Sequence, residues 1–261
     1  MKIATYNVWN EGSNLSLRKE QLIREIIKTD ADLIGLQEVM PEFWDELIKC
    51  ADYEYHIYCY IPQRGDGLAF LSKYPFTGSF SLHESAEFNN SFALNVTFIE
   101  KGFIFSVTNV HLPWDSALAR EKHIIGLNEY NKRQKDCVDY FIILGDFNST
   151  SRSSVHDFLT GAQSLSGCEV NPVYQDLADV HAALNGYIAA PTLDFAANPR
   201  WKDNTTKYEP IKVDKIMFAD NAKRGDYFIR NVNIFGTDTS PETNLAPSDH
   251  YGVIAEMEFA E

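Results

Sequence analysis

Asp139-Tyr-Phe-Ile-Ile-Leu-Gly-Asp146-Phe-Asn148 is the stretch on which the reading of this chain turns. Tyr140 to Leu144 are apolar and rich in β-formers, the composition of a strand covered on both faces. Gly145 breaks the run, and Asp146 and Asn148 follow at once. Residues two apart in an extended chain point to the same side, so a carboxylate and an amide leave the strand end together. The carboxylate can take up a proton or bind a metal, and the amide can donate hydrogen bonds to an anion. Taken alone, the stretch fits a helix cap or turn slightly better, because Asp and Asn are common there. The other strand ends have to decide.

Upstream, Ile3–Val8 reads as a strand, and Ser13-Asn14 can cap a helix over Leu15–Lys28, where Leu22, Ile23, Ile26 and Ile27 share a face. Asp32–Glu38 is a second buried strand, again ending in an acid. Pro41 opens a helix whose Phe43, Trp44, Leu47 and Ile48 face one way. Strand patterns then follow at Tyr53–Ile61, Gly67–Ser72, Phe92–Ile99 and Phe103–His111, before a long helix over Ala117–Lys135. Downstream come short helices at Ser153–Leu159 and Asp176–Leu184, an irregular segment over Asn185–Pro210, and strands at Lys212–Phe218, Tyr227–Phe235 and Tyr251–Phe259. A loop as long as 185–210 inside a domain is usually functional or mobile. Strands and helices alternate, with hairpin-like strand pairs in the middle. This predicts an α+β fold, two sheets packed face to face with helices outside, built as one domain over residues 1–261.

Composition narrows the function. Hydrophobic residues make up 44% and charged residues 23%, as in a globular protein with a full core. No apolar run reaches the ~20 residues that span a membrane, and the N-terminus is already a strand pattern rather than a secretion signal. Cys50, Cys59, Cys137 and Cys168 form no Cys-x-x-Cys pair, which points to reduced thiols, a cytoplasmic setting and no zinc site. The 37 acids outnumber the 23 Lys and Arg, for a net charge of −14. A protein that grips long nucleic acid normally presents a basic face, and no extended basic patch is evident here. An acidic chain can still attack phosphate esters if part of that charge gathers a divalent cation.

Polar residues recur where strand patterns stop: Asn7, Glu38, Asn109 with His111, Asp146 with Asn148, Asp214, and Asp249 with His250. Each alone has a structural explanation. Together, at strand ends that converge on one rim, they read as a site. Glu38, Asp249 and the side-chain oxygen of Asn7 are hard oxygen donors of the kind Mg²⁺ or Mn²⁺ prefers. Asn109, Asn148 and the imidazoles can hold phosphate oxygens, Asp146 can deprotonate a water, and Asp214 or Asp66 can hold a histidine as a cation. Trp9, Trp114 and Trp201 sit beside these segments and could stack a base or an aromatic leaving group; loop packing explains them equally well. Trp44 reads as core.

Thr5-Tyr-Asn7, Leu36-Gln-Glu38-Val39, Gly145-Asp146-Phe-Asn148 and Ser248-Asp249-His250 resemble, in order, the four signature motifs of the endonuclease/exonuclease/phosphatase superfamily, the DNase I-like fold. Asn109-Val-His111 and Val213-Asp214-Lys-Ile216 match two further segments. The resemblance implies a four-layer α-β-β-α sandwich with mainly antiparallel sheets, and hydrolysis of a phosphoester with Mg²⁺ or Mn²⁺. It makes Glu38 the principal metal ligand, with Asn7 and Asp249 nearby. Asp146 becomes the water-activating group, and Asn148 steadies the phosphate. His250, paired with Asp214, and His111 then stabilise the phosphorane. The acidic partner of His111 is expected at Asp66. The motif set is shared by the 5′-tyrosyl-DNA phosphodiesterase branch, although in Pro191-Thr192-Leu193-Asp194 Leu193 replaces that branch's aromatic residue. The expected protein is thus a monomeric phosphodiesterase acting on nucleic acid, phospholipid or a small phosphate ester. A phosphomonoesterase of a small metabolite or lipid headgroup, or a non-catalytic phosphate-binding member, are the other readings.

Overall fold

The computed structural model describes residues 1–11, 15–82, 92–203 and 208–260. The Ser13-Asn14 cap lies outside them. Among the described residues, twelve strands form two six-stranded sheets. The first contains β1 (Lys2–Asn7), β2 (Leu33–Gln37), β3 (Tyr55–Ile61), β4 (Asp66–Ser72), β11 (Tyr227–Phe235) and β12 (Gly252–Phe259), in the order β11-β12-β1-β2-β4-β3. The second contains β5 (Phe76–Leu82), β6 (Phe92–Glu100), β7 (Phe103–His111), β8 (Tyr140–Asp146), the two-residue β9 (Gln175–Asp176) and β10 (Asp214–Asp220), in the order β5-β6-β7-β8-β10-β9.

The opening stretch shows how the layers arise. Along β8, Tyr140, Ile142 and Leu144 point into a core shared with Leu33, Phe70 and Val253 of the facing sheet. Phe141 and Ile143 point the other way, onto Ile124 and Leu127 of α3 (Ala117–Gln134) and Phe158 of α4 (Ser154–Leu159). β2 does the same in the first sheet. Leu33 enters the central core, while Ile34 and Leu36 pack on Leu22 and Ile26 of α1 (Leu15–Thr29) and Phe43 and Leu47 of α2 (Pro41–Cys50). Two-sided burial is why both strands read as unbroken apolar runs. The result is the α-β-β-α sandwich expected, and Trp44 is core, stacked on Tyr58.

Local sequence sets the helix limits. Pro41 occupies the first turn of α2, Ser116 and Ser153 cap α3 and α4 through their hydroxyls, and Asp176 caps α5 (Leu177–Asn185). Gly186 ends α5 in the left-handed conformation with φ 74°. Residues 76–82, which carry no strand pattern, form the edge strand β5; a bulge between Phe76 and Gly78 accommodates its irregular composition.

Each sheet holds one parallel pair, β1/β2 and β7/β8, in otherwise antiparallel surroundings. The C-terminal ends of these four strands therefore share a rim with the N-terminal ends of their antiparallel neighbours β4, β10 and β12. In register, His111 lies beside Asp146 and Asp146 beside Asp214. Gly145 makes the close approach possible: with φ +135°, a Cβ there would lie 2.0 Å from the Val110 carbonyl oxygen. Among the described residues, no helix is long and apolar enough to cross a membrane.

Candidate active site

The rim surrounds a cavity of about 430 Å³ lined by Glu38, Arg64, His111, Asp146, Asn148, Asp249 and His250, with Trp114, Leu193 and Trp201 along its lip. Three residues beside it, Trp9, Glu38 and Asn148, have φ of 59°, 59° and 45°. Non-glycine residues in this left-handed region carry strain that surrounding structure must hold, a feature concentrated at functional sites.

Asp146 is the centre. Its Oδ1 accepts the Asn148 backbone N–H at 2.8 Å, and its Oδ2 accepts from Asn7 Nδ2 at 3.1 Å and Asn148 Nδ2 at 3.3 Å. Two imidazoles aim at the same Oδ2, His111 Nε2 from 3.6 Å and His250 Nε2 from 3.8 Å. Burial raises the pKa of Asp146; His250 opposes the rise and Asp214, across the strand ladder, adds to it. A carboxylate so placed is a stronger base than one in water. The Asn148 amide also donates to Leu112 O at 2.9 Å, so its longer bond, to Asp146, is the one a phosphate oxygen would take over.

Asp214 accepts from His250 Nδ1 at 2.9 Å. Burial alone would lower the His250 pKa, but Asp214 and Asp146 reverse this and hold it well above the ordinary imidazole value. Asp146, Asp214 and His250 bring ligand atoms within 4.8 Å of one another. Within this trio the Asp214–His250 hydrogen bond backs an Nε2 that faces the Asp146 carboxylate. Thr192, buried, fixes the start of β10 by accepting the Val213 and Asp214 N–H groups. The segment that follows α5 thus acts on the site through Thr192. Its Asn198, Arg200 and Trp201 also donate to backbone carbonyls of Ser248, Asp249 and Ala246.

Glu38 receives Asn7 Nδ2 at 3.0 Å and the Asn10 N–H at 2.9 Å. Burial opposes its ionisation, but the His111 imidazole, the Asn10 N–H and the Asn7 amide prevail, and its pKa falls. Asp249 goes the other way: burial first, then Glu38 and Asp146, against the pull of His250 and Arg18, push it up to about 6. Glu38 and Asp249, two carboxylates lining one cavity, are hard oxygen donors of the kind a divalent cation fits. Glu38 and Asp249 are the residues that would hold it.

Four of the expected residues take the following places. Asn7 Oδ1 accepts the Trp9 N–H at 3.0 Å and its Nδ2 bridges Glu38 and Asp146, so it orients the acids. Flipping the amide would set oxygen against two carboxylates, which fixes its orientation. Asn109 does not reach a phosphate: it is fully buried, donates to Leu36 O and Ala69 O, accepts from Gln37, and ties the two sheets together. Trp9 is no part of the cavity lining; its ring lies against the guanidinium groups of Arg18 and Arg200. Asp66 does not touch His111 directly, because Arg64 intervenes at 2.9 Å from Nδ1. Trp114, 80% exposed, and Trp201, anchored by its indole N–H on Asp249 O, do line the cavity. Arg64 and Asn10 were not singled out from sequence. The one signal available was their proximity to motif segments, Asn10 three residues after Asn7 and Arg64 in the turn before Asp66.

The profile of the Endonuclease/Exonuclease/phosphatase family matches residues 4–250. The chain belongs to this family. Its members are in general metal-dependent phosphoester hydrolases. No curated protein sequence matches the chain. Among solved structures, D. rerio TDP2 complexed with single-strand DNA product superposes with a TM-score of 0.79 at 18% identity, covering 99% of this chain and 98% of that one. An Enterococcus faecalis V583 conserved protein of unknown function gives 0.73 at 23% identity, covering both chains fully at 100% and 100%. The endonuclease/exonuclease/phosphatase from Bacteroides vulgatus gives 0.75 at 19%, covering 99% and 98%. These likenesses show that the family fold spans the chain.

Proposed function

We propose that this family member is a divalent-metal-dependent phosphodiesterase, with Asp146 as general base and His111, Asn148 and His250 as donors to the phosphate. The observation that carries the reading is the convergence of both His Nε2 atoms, from 3.6 and 3.8 Å, on the one carboxylate oxygen of Asp146 at the cavity floor. Glu38 and Asp249 would hold a Mg²⁺ or Mn²⁺, which when bound would supply Lewis-acid neutralisation of phosphate charge. Asp146 Oδ2 takes the proton of the attacking water and holds it in line. The His250 imidazolium meets the negative charge that grows on a non-bridging oxygen, and the N–H groups of His111 and Asn148 add to it from the cavity wall. Trp114, Leu193 and Trp201 offer an apolar lip to a planar or apolar arm of the substrate. Arg64 is the one Lys or Arg among the described lining residues, and with a net charge of −14 the cavity favours a short substrate over a long polynucleotide.

The test is hydrolysis of bis-p-nitrophenyl phosphate with Mg²⁺ or Mn²⁺, followed by a panel of dinucleotides, 5′-tyrosyl oligonucleotide, inositol phosphates and sphingomyelin. Asp146→Asn keeps the shape and removes the base, and it should lower kcat by about 10²–10⁴. Near-normal turnover of that variant would overturn the assignment.

A further inference from the structure

We infer that Arg64 is a positioning residue for hydrolysis, setting which nitrogen of His111 carries the proton and where that N–H points. The inference rests on the hydrolase reading above for its catalytic consequence. A guanidinium has five N–H donors and no acceptor, and it stays charged in proteins. Its 2.9 Å contact with His111 Nδ1 is therefore a donation from Arg64 Nη2 to the ring lone pair. The proton of His111 is then left on Nε2, which faces Asp146 Oδ2 at 3.6 Å and Glu38 Oε1 at 3.7 Å inside the cavity. His250 has the opposite polarity behind it, since its Nδ1 donates to the Asp214 carboxylate. One histidine is backed by an acceptor and the other by a donor, yet both present Nε2–H to the same oxygen.

Arg64 is itself prepared for this task. Its Nε donates to Asp66 Oδ1 at 3.1 Å, and its Nη2 lies 3.5 Å from Asp66 Oδ2. Asp66 is buried at the start of β4 and is held in turn by the Asn10 amide. The backbone N–H groups of Arg64 and Gly65 both bond Ile61 O, closing the β3–β4 turn on which the side chain sits. The order Asn10–Asp66–Arg64–His111 thus runs from a fixed carboxylate through a planar fork to the ring. The carboxylate orients the arginine, and the arginine orients the histidine.

Two measurements test this. In the full-length protein with ¹⁵N-labelled histidine, long-range ¹H–¹⁵N spectra should show His111 with a pyrrole-type Nε2 and a pyridine-type Nδ1. Arg64→Ala should abolish that signature for His111 while leaving the His250 signals in place, which also reports that the fold survives. In steady-state hydrolysis of bis-p-nitrophenyl phosphate, Arg64→Ala should lower kcat about ten-fold or more with KM within about two-fold. Added guanidinium, or the change Arg64→Lys, should restore part of it. A proton on Nδ1 of His111 in the unsubstituted protein would overturn the inference, whether or not any phosphoester is cleaved. So would an Arg64→Ala variant with unchanged kcat. Absence of hydrolysis by the unsubstituted protein, with the predicted His111 spectrum present, would count against the hydrolase reading alone.

Discussion

Asp214→Asn separates the electrostatics of the site from its shape. The amide can still meet His250 Nδ1, but the negative charge 2.9 Å away is gone. At that distance two unit charges interact by about 6 kcal/mol with an effective dielectric constant of ~20, an upper bound because burying both has already cost part of it. Hydrogen bonds to charged groups contribute about 1.5–3 kcal/mol net, so kcat at neutral pH should fall by about 10–150-fold. The pH profile carries the sharper signature. Asp214 and Asp146 hold the His250 pKa well above its ordinary value, so the imidazolium persists through neutrality in the parent protein. Without Asp214, burial dominates and the pKa drops, so activity should fade as pH rises through the neutral range instead of at higher pH. The fold should persist, because Asp146 faces Asp214 across the ladder and loses a like-charged neighbour. The assay is kcat against pH from 5.5 to 9 on bis-p-nitrophenyl phosphate, with the melting temperature as control. A variant with parental kcat and an unshifted profile would refute the assignment of His250 as an acid-form donor held by Asp214.

Chelation should abolish hydrolysis, and Mg²⁺ or Mn²⁺ should restore it. At 100 times its Kd the ion adds about 2.7 kcal/mol of stability, seen as a rise in melting temperature. Glu38→Gln should lose most of that rise, and a shift of parental size in this variant would remove Glu38 from the ligand set. His123, buried in α3, has its pKa lowered by burial to about 4. The unfolded imidazole protonates near pH ~6.5, so this stability is intact above that value and is lost as pH falls towards 4. The loss is about 3 kcal/mol in full. His123→Gln should flatten this acid limb by about 2 kcal/mol between pH 7 and 4.5 in urea melts, and an identical limb would refute it.

The rim residues were legible because each borders an apolar run that only a strand explains. Asp146, Glu38 and His111 follow such a run, and His250 stands just before one, at the start of β12. Depth was not legible. Asn109 precedes His111 by two residues on the same strand side, but it lies between the sheets, where its amide bonds join Leu36, Ala69 and Gln37. The β5 strand was hidden because Pro75, Gly78 and small polar residues read as turn, and only an edge position tolerates them. Arg64 was hidden for another reason. Its partner His111 is 47 residues away, and in sequence the neighbouring carboxylate of Asp66 looked the better match. A charged residue's role depends on which of two candidates reaches farther into the cavity, and side-chain reach is not written in spacing.

Ser248 Oγ donates to Asn7 O at 2.8 Å, joining two motif segments 241 positions apart. The phosphate-handling groups therefore come together only once β12 has docked beside β1. A ribosome-bound chain lacking its last strand, or a chain nicked in the 185–210 loop and released from its partner fragment, would hold the Asp146 base and no imidazolium opposite it. Such a species would lack Asp249 and His250 at the rim and stay silent as a hydrolase. Turnover in this protein thus doubles as a readout of complete assembly, more stringent than secondary-structure content, which most of the chain could display without its end.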